Sequence, residues 1–345
     1  MNELLQQLSE AVGVSGAEQD VRLLIRDLIT DHVDEIRVDA VGNLLALKKG
    51  DGSSDMRVLV DAHMDEVGLM ITDVDSAGTA KFEKIGGLDD RILLGKVVQV
   101  GPKKLTGVIG ARPVHLLQTV GERASVVKAD SMRIDIGAGS KDEGQGKMKP
   151  GDRATFLTPY QEWGELAVGK ALDNRAGCAI LVELLRGSRY PFDLYAAFTV
   201  QEEVGMAGAR VASFAVAPDV ALVLECTPAY DLPNENDVSP NVALGRGPSV
   251  YVMDSRTIQD PRLVSHIMRT ADAQGIPFQI RQPGGGGTNT GMIQRAGGGM
   301  PAATLAVPGR YLHAPAAIIS LTDYARVRQL ADAVLRSLSR DLLAR

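Results

Sequence analysis

The 345-residue chain has few cysteines, few aromatic residues and no long apolar run. Its two cysteines, Cys178 and Cys226, match neither a disulfide framework nor a CxxC metal motif, and we interpret both as small buried residues. Aromatic residues make up only 4% of the chain, so the core must consist of Val, Leu, Ile, Ala and Met. Because no run of about 18 apolar residues occurs, we expect no transmembrane helix and no membrane partner.

An excess of positive charge is also missing. The chain has 37 basic and 43 acidic residues, a net charge of -6, which argues against nucleic acid as the main partner. Residues 1–16 contain no apolar segment of the kind found in signal peptides, so we expect a cytoplasmic protein. The length predicts two domains, or one large domain with an insertion.

The spacing of apolar residues changes twice along the chain. Up to residue 67, and again from residue 163, helical windows alternate with apolar strands, which is typical of an α/β unit. Between residues 68 and 162, short alternating segments are separated by Gly, Pro and Asp, and few helical windows occur. We therefore predict an α/β chain interrupted by a small β-rich insertion.

Two local patterns carry further expectations. Ser15, with Glu18 three residues later, forms a capping-box pattern and is predicted to begin a helix that runs to about residue 32. The segment PGGGGTNTG at 283–291 indicates either a backbone with positive φ or close approaches, or a flexible connector. The sequence leaves these two alternatives open.

Acidic residues and histidines stand where apolar strands end. In open α/β sheets, ligands bind outside the carboxyl ends of the strands. Asp173 is added by a loop that opens a helix, in GKALDNRAG. The complete set is His63, Asp65, Asp173, Glu202, Glu203, Glu225 and His313.

This combination of side chains suits a divalent metal site. Histidine nitrogens and carboxylate oxygens are ligands of zinc and similar ions, and two ions about 3.5–4 Å apart need a bridging carboxylate with terminal ligands on each side. Asp65 lies two residues after His63, where its carboxylate can accept the second ring N–H of that histidine. In the adjacent pair Glu202 and Glu203, one can bind a metal while the other acts as a general base on the attacking water.

Other titratable residues have simpler interpretations. Asp61 is interpreted as structural, and the remaining histidines, including His115 in the insertion, as structural or surface residues, although a neighbouring subunit could bring His115 near a site. Four arginines in segments that could line a pocket are expected mainly as surface ion-pair residues, although any of them could favour acidic substrates: Arg246, Arg256, Arg281 and Arg310.

The motifs together resemble a known family. They are AHMDEVG (62–68), GKALDNRAG (169–177), QEEVGMAGA (201–209), LECTPAYDLP (224–233), GGGGTNTG (284–291) and GRYLHAP (309–315). In this combination the sequence is similar to the tetrahedral, dinuclear-metal aminopeptidases along essentially the whole chain. That group includes glutamyl, leucyl and deblocking aminopeptidases and members once described as endoglucanases.

The resemblance implies two divalent metal ions per subunit, with zinc or cobalt expected. It implies that His63 and Glu225 are terminal ligands of one ion and that Asp173 bridges the pair. Glu203 and His313 are then the ligands of the second ion.

The resemblance also implies roles outside the ligand set. Glu202 corresponds to the general base, Asp65 to the partner of His63, and the peptide bond after Asp173 is expected to be cis. The sequence departs from the family pattern at Glu225 and Asn289, where relatives often carry Asp. These departures affect the expected metal preference and substrate specificity.

The implied architecture is a mixed-sheet, phosphorylase/hydrolase-like metallopeptidase domain at 1–67 plus 163–345, with a small β-barrel-like dimerisation domain inserted at 68–162. The implied partners are short peptides and further copies of the chain, in a tetrahedral dodecamer built from dimers. The implied reaction is the removal of N-terminal residues. A carboxypeptidase or an N-acyl amino acid deacylase remains an alternative. With one tryptophan, a glycoside hydrolase is disfavoured, and the free base argues against a non-enzymatic shell.

Overall fold

The computed structural model describes residues 2–232, 242–282 and 286–344. The strands in these ranges are β1 (Glu35–Val38), β2 (Leu44–Lys48), β3 (Arg57–His63), β4 (Gly68–Val74), β5 (Ala80–Ile85), β6 (Val97–Val100), β7 (Leu105–Gly110), β8 (Arg133–Asp135), β9 (Arg153–Phe156), β10 (Gln161–Trp163), β11 (Leu166–Gly169), β12 (Asp193–Thr199), β13 (Val220–Pro228), β14 (Ser249–Tyr251), β15 (Gln279–Arg281), β16 (Ala302–Arg310) and β17 (Ala317–Ser320).

The helices in the same ranges are α1 (Glu3–Glu10), α2 (Gln19–Ile29), α3 (Val120–Ala124), α4 (Lys141–Lys147), α5 (Leu172–Arg186), α6 (Ala207–Val216), α7 (Pro261–Gln274), α8 (Thr290–Ile293), α9 (Leu321–Arg336) and α10 (Arg340–Leu343). One-turn 3₁₀ helices occur at Thr30–His32, Asp90–Ile92, Val114–Leu116 and Ala129–Ser131. None of the helices in the described ranges combines the length and the apolar character needed to cross a bilayer.

A mixed sheet forms the larger part of the molecule. Its main path runs β1-β2-β12-β3-β13-β16-β17-β11-β10, and the central strands β12, β3, β13 and β16 are parallel. Both faces of β3 are buried, because Val58 and Val60 pack in the cluster that contains α5, whereas Leu59 packs in the cluster that contains α6. Helices on both faces explain why this strand reads as a nearly continuous apolar run. The mixed α/β fold expected from the sequence is confirmed.

The insertion forms a closed barrel with a core of its own. Six antiparallel strands pair in the order β4-β5-β8-β7-β6-β9 and enclose a separate apolar cluster that includes Leu69, Phe82 and Ile134. The barrel strands lie between β3 and β10 in the chain, and β10 pairs with β11 in the large sheet. Closure pairs every strand edge, so this small unit presents no open edge of its own.

The predicted cap of the second helix is wrong. Helix α2 begins at Gln19, and Ser15 lies four residues before it. The Ser15 hydroxyl instead donates to Oδ2 of Asp65 at 2.6 Å, and the Glu18 carboxylate accepts the Gly16 N–H at 2.7 Å. A tertiary partner from a distant segment has displaced the local capping interaction.

Helix α5 carries the predicted cis peptide bond, between Asp173 and Asn174. Both residues have non-helical φ and ψ, so the regular part of the helix begins after them. The Asn174 amide donates to the Leu224 carbonyl of β13 at 2.8 Å, and the Gly177 N–H donates to the Asn174 side chain at 3.1 Å. A Cβ at Gly177 would overlap Oδ1 of Asn174 and approach the Leu224 carbonyl to 3.0 Å.

We predict that Gly177→Ala destabilises the protein. Glycine to alanine in a helix interior normally stabilises by about 1 kcal/mol, but here the added methyl group must push Asn174 away from β13. The expected result is a free energy of unfolding lower by about 1–3 kcal/mol, measured by urea unfolding.

The matched control is Gly146→Ala in α4, where the added Cβ meets no atom within 4 Å. That variant should be as stable as the original protein or slightly more stable. Equal stability of the two variants would contradict a tight approach of α5 to β13.

Candidate metal centre

The sequence-predicted side chains meet at one edge of the large sheet. His63 ends β3, Glu225 lies near the end of β13, and Glu202 and Glu203 follow β12. Parallel strands end at the same edge, and the loop after β16 brings His313 to that edge while α5 contributes Asp173.

Two triads of potential ligands share the Asp173 carboxylate. In the first triad, Nε2 of His63 lies 3.4 Å from Oδ1 of Asp173 and 3.4 Å from Oε1 of Glu225. In the second, Nε2 of His313 lies 3.6 Å from Oδ2 of Asp173 and 3.3 Å from Oε2 of Glu203. Within each triad the ligand atoms lie within 4.8 Å of one another. Each oxygen of Asp173 therefore faces a different triad.

The donor set fits a pair of divalent cations. Oδ1 of Asp173 is buried and accepts no hydrogen bond of normal geometry, although it faces the ring of His63. A buried carboxylate oxygen in that condition is costly unless a cation is nearby. Imidazole nitrogens with carboxylate oxygens are a ligand mixture suited to zinc and similar ions.

The crowding of buried acids perturbs their protonation. Burial raises the pKa of Glu203 to about 8, with a further upward contribution from the Asp173 charge. Burial likewise raises the pKa of Glu202 and of Glu225. Although burial opposes the change, the nearby rings of His313 and His63 lower the pKa of Asp173. Divalent cations would favour the ionised form of every one of these carboxylates.

Asp65 connects His63 to the loop that carries the two glutamates. Nδ1 of His63 lies 3.4 Å from Oδ1 of Asp65 and 3.2 Å from its carbonyl oxygen. The Asp65 carboxylate also accepts the backbone N–H groups of Glu202 at 3.0 Å and Glu203 at 3.2 Å. With Nδ1 facing Asp65, Nε2 of His63 is left to face Asp173 and Glu225.

Glu202 and Glu203 occupy different positions in the site. Glu203 belongs to the second triad, whereas Glu202 belongs to neither of the triads found in the described residues. Glu202 instead borders a cavity of about 430 Å³ that also touches His63, Asp173 and Glu225. Of the two glutamates, Glu202 is therefore the one that faces this cavity.

A buried ionic cluster beneath the site was missed by the sequence reasoning. The Glu66 carboxylate accepts hydrogen bonds from Nζ of Lys170 at 2.8 and 2.9 Å, and Nη2 of Arg175 lies 3.4 Å away. Arg175 also donates to the Met64 carbonyl at 2.9 Å. The cluster joins the His63 segment to the Asp173 segment. Its signal in the sequence is a charged residue within three positions of a candidate ligand: Glu66 follows His63, and Lys170 and Arg175 flank Asp173.

Asn289 faces the interior of the protein. Its side-chain amide donates to Oδ2 of Asp61 at 2.7 Å and to the Thr199 hydroxyl at 2.9 Å, and only 1% of Asn289 is exposed. Burial raises the pKa of Asp61 to about 7. These contacts agree with a structural interpretation of Asp61. They also place Asn289, one of the two positions where the sequence departs from the family pattern, behind the candidate site.

The glycine-rich segment makes close approaches where the structure describes it. Gly287 and Gly291 pack on the side chain of Arg256, and a Cβ at either position would overlap it. Neither of these glycines has a positive φ. Gly284 and Gly285 lie outside the described residues.

The four candidate arginines differ in their surroundings. Arg310 forms the expected ion pair, with Nε 2.6 Å from Asp231, and Arg246 and Arg256 are exposed. For Arg281 the prediction of a surface ion pair is wrong, because this side chain is buried and lines the cavity beside Glu202. His115 and His32 are exposed and belong to neither triad.

Comparisons with known proteins point to aminopeptidases. A family model described as M42 glutamyl aminopeptidase matches residues 42–330. A lysyl aminopeptidase of Pyrococcus furiosus is 31% identical over 97% of this chain and 97% of its own.

Solved structures cover nearly the whole chain. A TET aminopeptidase from a marine sediment archaeon of the Thaumarchaeota matches with a TM-score of 0.94 at 33% identity, over 99% of this chain and 97% of its own. The Pyrococcus horikoshii TET1 peptidase, described as assembling into a tetrahedron or a large octahedral shell, matches with a TM-score of 0.86 at 34% identity, over 97% of this chain and 99% of its own.

We predict that Glu66→Gln strongly destabilises the protein. The substitution leaves Lys170 and Arg175 buried without an anionic partner, and breaking a buried ion pair in this way costs about 3–5 kcal/mol. Guanidinium chloride unfolding would measure the loss. As a control, Glu143→Gln removes an exposed ion pair with Lys147 and should leave the unfolding midpoint unchanged. Unfolding of Glu66→Gln at the original midpoint would show that solvent reaches the cluster.

Proposed function

We propose that this chain, which belongs to the M42 family of metal-dependent aminopeptidases and is a peptide-bond hydrolase, removes single N-terminal residues from short peptides. The reaction would take place where the two triads meet at Asp173. The observation that carries this proposal is the position of Asp173 between the triads, with Glu202 outside both of them and facing the cavity. A site that only stored metal ions would need no such free carboxylate.

We assign the ligands of the two ions to the two triads. His63 and Glu225 would hold one ion, Glu203 and His313 the other, and Asp173 would bridge them. Zinc and cobalt are both compatible with these nitrogen and oxygen donors. When bound, such ions lower the pKa of a water molecule and polarise the scissile carbonyl.

Glu202 is proposed as the general base. Its carboxylate would accept a proton from the attacking water and deliver it to the leaving amine. Backbone hydrogen bonds from Glu202 and Glu203 to Asp65 hold the loop that presents it. A carboxylate whose pKa is raised by burial holds a proton more readily near neutral pH than an exposed one, which suits this exchange.

The acidic surroundings favour substrates with a free N-terminus. The carboxylates that border the cavity can bind an α-ammonium group, which explains a preference for the first peptide bond. A carboxypeptidase or an N-acyl amino acid deacylase is not favoured, because the matching family and relatives are aminopeptidases.

Assembly and location remain further proposals. We propose that residues 68–162 form a dimerisation domain inserted in a catalytic domain of residues 1–67 and 163–345, and that dimers assemble into a tetrahedral dodecamer. Large exposed apolar side chains in the connection between β7 and β8, including Val114, Leu116 and Val120, support a protein contact there. The absence of nucleic-acid partners and the cytoplasmic location remain predictions of the sequence.

The test of this function is a library of short, defined peptides. The protein is stripped with a chelator, reloaded with zinc or cobalt and incubated with the library, and products are read by mass spectrometry. We expect metal-dependent loss of one residue at a time from free N-termini. Cleavage confined to acylated or C-terminal residues would overturn the aminopeptidase assignment while leaving a metal-dependent hydrolase.

For Glu202→Gln we expect normal metal content but a kcat lower by about 10²- to 10⁴-fold, because the amide cannot accept the proton. Metal content is measured by elemental mass spectrometry, and kcat is measured with an aminoacyl anilide as the substrate. His313→Ala is the contrasting variant and should lose metal as well as turnover. A nearly normal kcat in Glu202→Gln would remove this residue from the base role.

A further inference from the structure

The second triad meets the inserted barrel at a turn of two glycines. Gly86 and Gly87 directly follow β5, which is one of the barrel strands. A Cβ built on Gly87 would lie 2.9 Å from Nδ1 of His313, and a Cβ built on Gly86 would lie 3.2 Å from Oε2 of Glu203. The turn therefore lies against the two candidate ligands that belong to the second triad alone.

The two histidines of the site are oriented in different ways. Nδ1 of His63 faces the Asp65 carboxylate at 3.4 Å. Nδ1 of His313 faces the backbone of Gly87 instead, and it makes no hydrogen bond in the part of the chain that the structure describes. A metal-binding histidine is normally oriented by a partner of its second ring nitrogen. For His313, contact with the turn takes the place of that partner.

The barrel holds the turn in a fixed position. Ile85 pairs with Gly68 where β5 meets β4, and Leu88 packs in the barrel core. The Leu88 N–H donates to the Gly86 carbonyl at 3.0 Å, and Nζ of Lys84 donates to the Leu88 carbonyl at 2.9 Å. The turn is tied to the barrel on both of its sides, so it can serve as a rigid wall for the ring of His313.

The neighbouring ligand, and not the backbone, accounts for glycine at position 87. Gly86 has a φ of +77°, which favours glycine by itself, whereas Gly87 lies outside the left-handed region. A Cβ on Gly87 would have the His313 ring as its only neighbour within 4 Å. The cavity that His313 shares with Val67 and Phe156 of the barrel core has a volume of only about 10 Å³. An added methyl group would therefore displace the ring.

We propose that Gly87 is a positioning residue for the second metal ion, because its backbone closes one side of the His313 ring and keeps Nε2 directed at Asp173 and Glu203. The inference rests on the ligand assignment in the proposed function. Nε2 lies 3.6 Å from Asp173 and 3.3 Å from Glu203, and a site of this kind tolerates displacements of only about 0.5 Å. The inserted barrel then has a role in the metal centre of its own subunit, besides its proposed role in dimerisation.

The test measures how many ions each variant binds and how tightly. Protein stripped with a chelator is titrated with Co²⁺ in a calorimeter, and the bound metal is counted by elemental mass spectrometry. We expect two ions per subunit for the wild type. In Gly87→Ala one ion should bind normally and the other about 10- to 100-fold more weakly. His313→Ala should bind a single ion and identifies which of the two is affected.

The matched control is Gly110→Ala in the same barrel. A Cβ at this position meets no atom within 4 Å, and Gly110 has no positive φ, so this variant should bind both ions as the wild type does. Turnover gives a second measurement. A higher concentration of Co²⁺ should restore the kcat of Gly87→Ala, whereas it should not restore that of Glu202→Gln.

A double variant keeps the proposal testable if Gly87→Ala does not fold. In Gly87→Ala/His313→Ala the ring that meets the added methyl group is absent. This protein should fold, and it should bind its remaining ion as tightly as His313→Ala does. Weaker binding than in His313→Ala would show that the turn acts on another part of the site, and the proposal would be wrong.

Two further results would overturn the proposal. One is a Gly87→Ala protein that binds both ions with wild-type affinity. The other is an equal weakening of both ions, which would indicate a general structural role of the turn. Failure of the proposed function is a separate result. If the peptide library shows no aminopeptidase activity, that function is wrong, while selective loss of one ion in Gly87→Ala would still support the positioning role.

Discussion

The rest of the site depends on the position of one carboxylate, that of Asp173, between a histidine at the end of β3 and a histidine in the loop after β16. Its two oxygens face His63 and His313 at 3.4 and 3.6 Å. The packing of α5 against β13 maintains this position, because the Asn174 amide is bonded to the Leu224 carbonyl and Gly177 leaves room for the approach. The fold therefore controls the chemistry through the distance between one helix and one strand.

Charge balance is the second constraint, and the segment after β3 supplies much of it. Asp65 accepts hydrogen bonds from the glutamate loop and faces the ring of His63, whereas the next residue, Glu66, pairs with Lys170 and Arg175. Neighbouring acids thus orient the candidate ligands on one side and neutralise buried cations on the other. On the far wall of the cavity, Arg281 is held by neutral partners, the Thr227 hydroxyl and the Tyr251 ring.

Much of the fold and of the candidate site was predictable from sequence. The nearly continuous apolar run of β3 indicated a strand buried on both faces, and the short alternating segments after it indicated a separate β unit, which the structure shows as a closed barrel. The candidate ligands were recognisable because acids and histidines directly after buried strands are exceptional. The same local reasoning was wrong for Ser15 and for Arg281, whose partners lie far away in the chain.

By itself, the sequence determined which side chains stand at the ends of the strands, because apolar periodicity marks where buried strands stop. Only the tertiary structure decided how those ends are arranged: that Asp173 serves both triads, that Glu203 and not Glu202 joins one of them, and that Arg281 is buried in the cavity wall. The physical reason is that hydrogen bonds and ion pairs between distant segments depend on how sheets and helices pack, and local sequence patterns contain no information on which distant partner will be close.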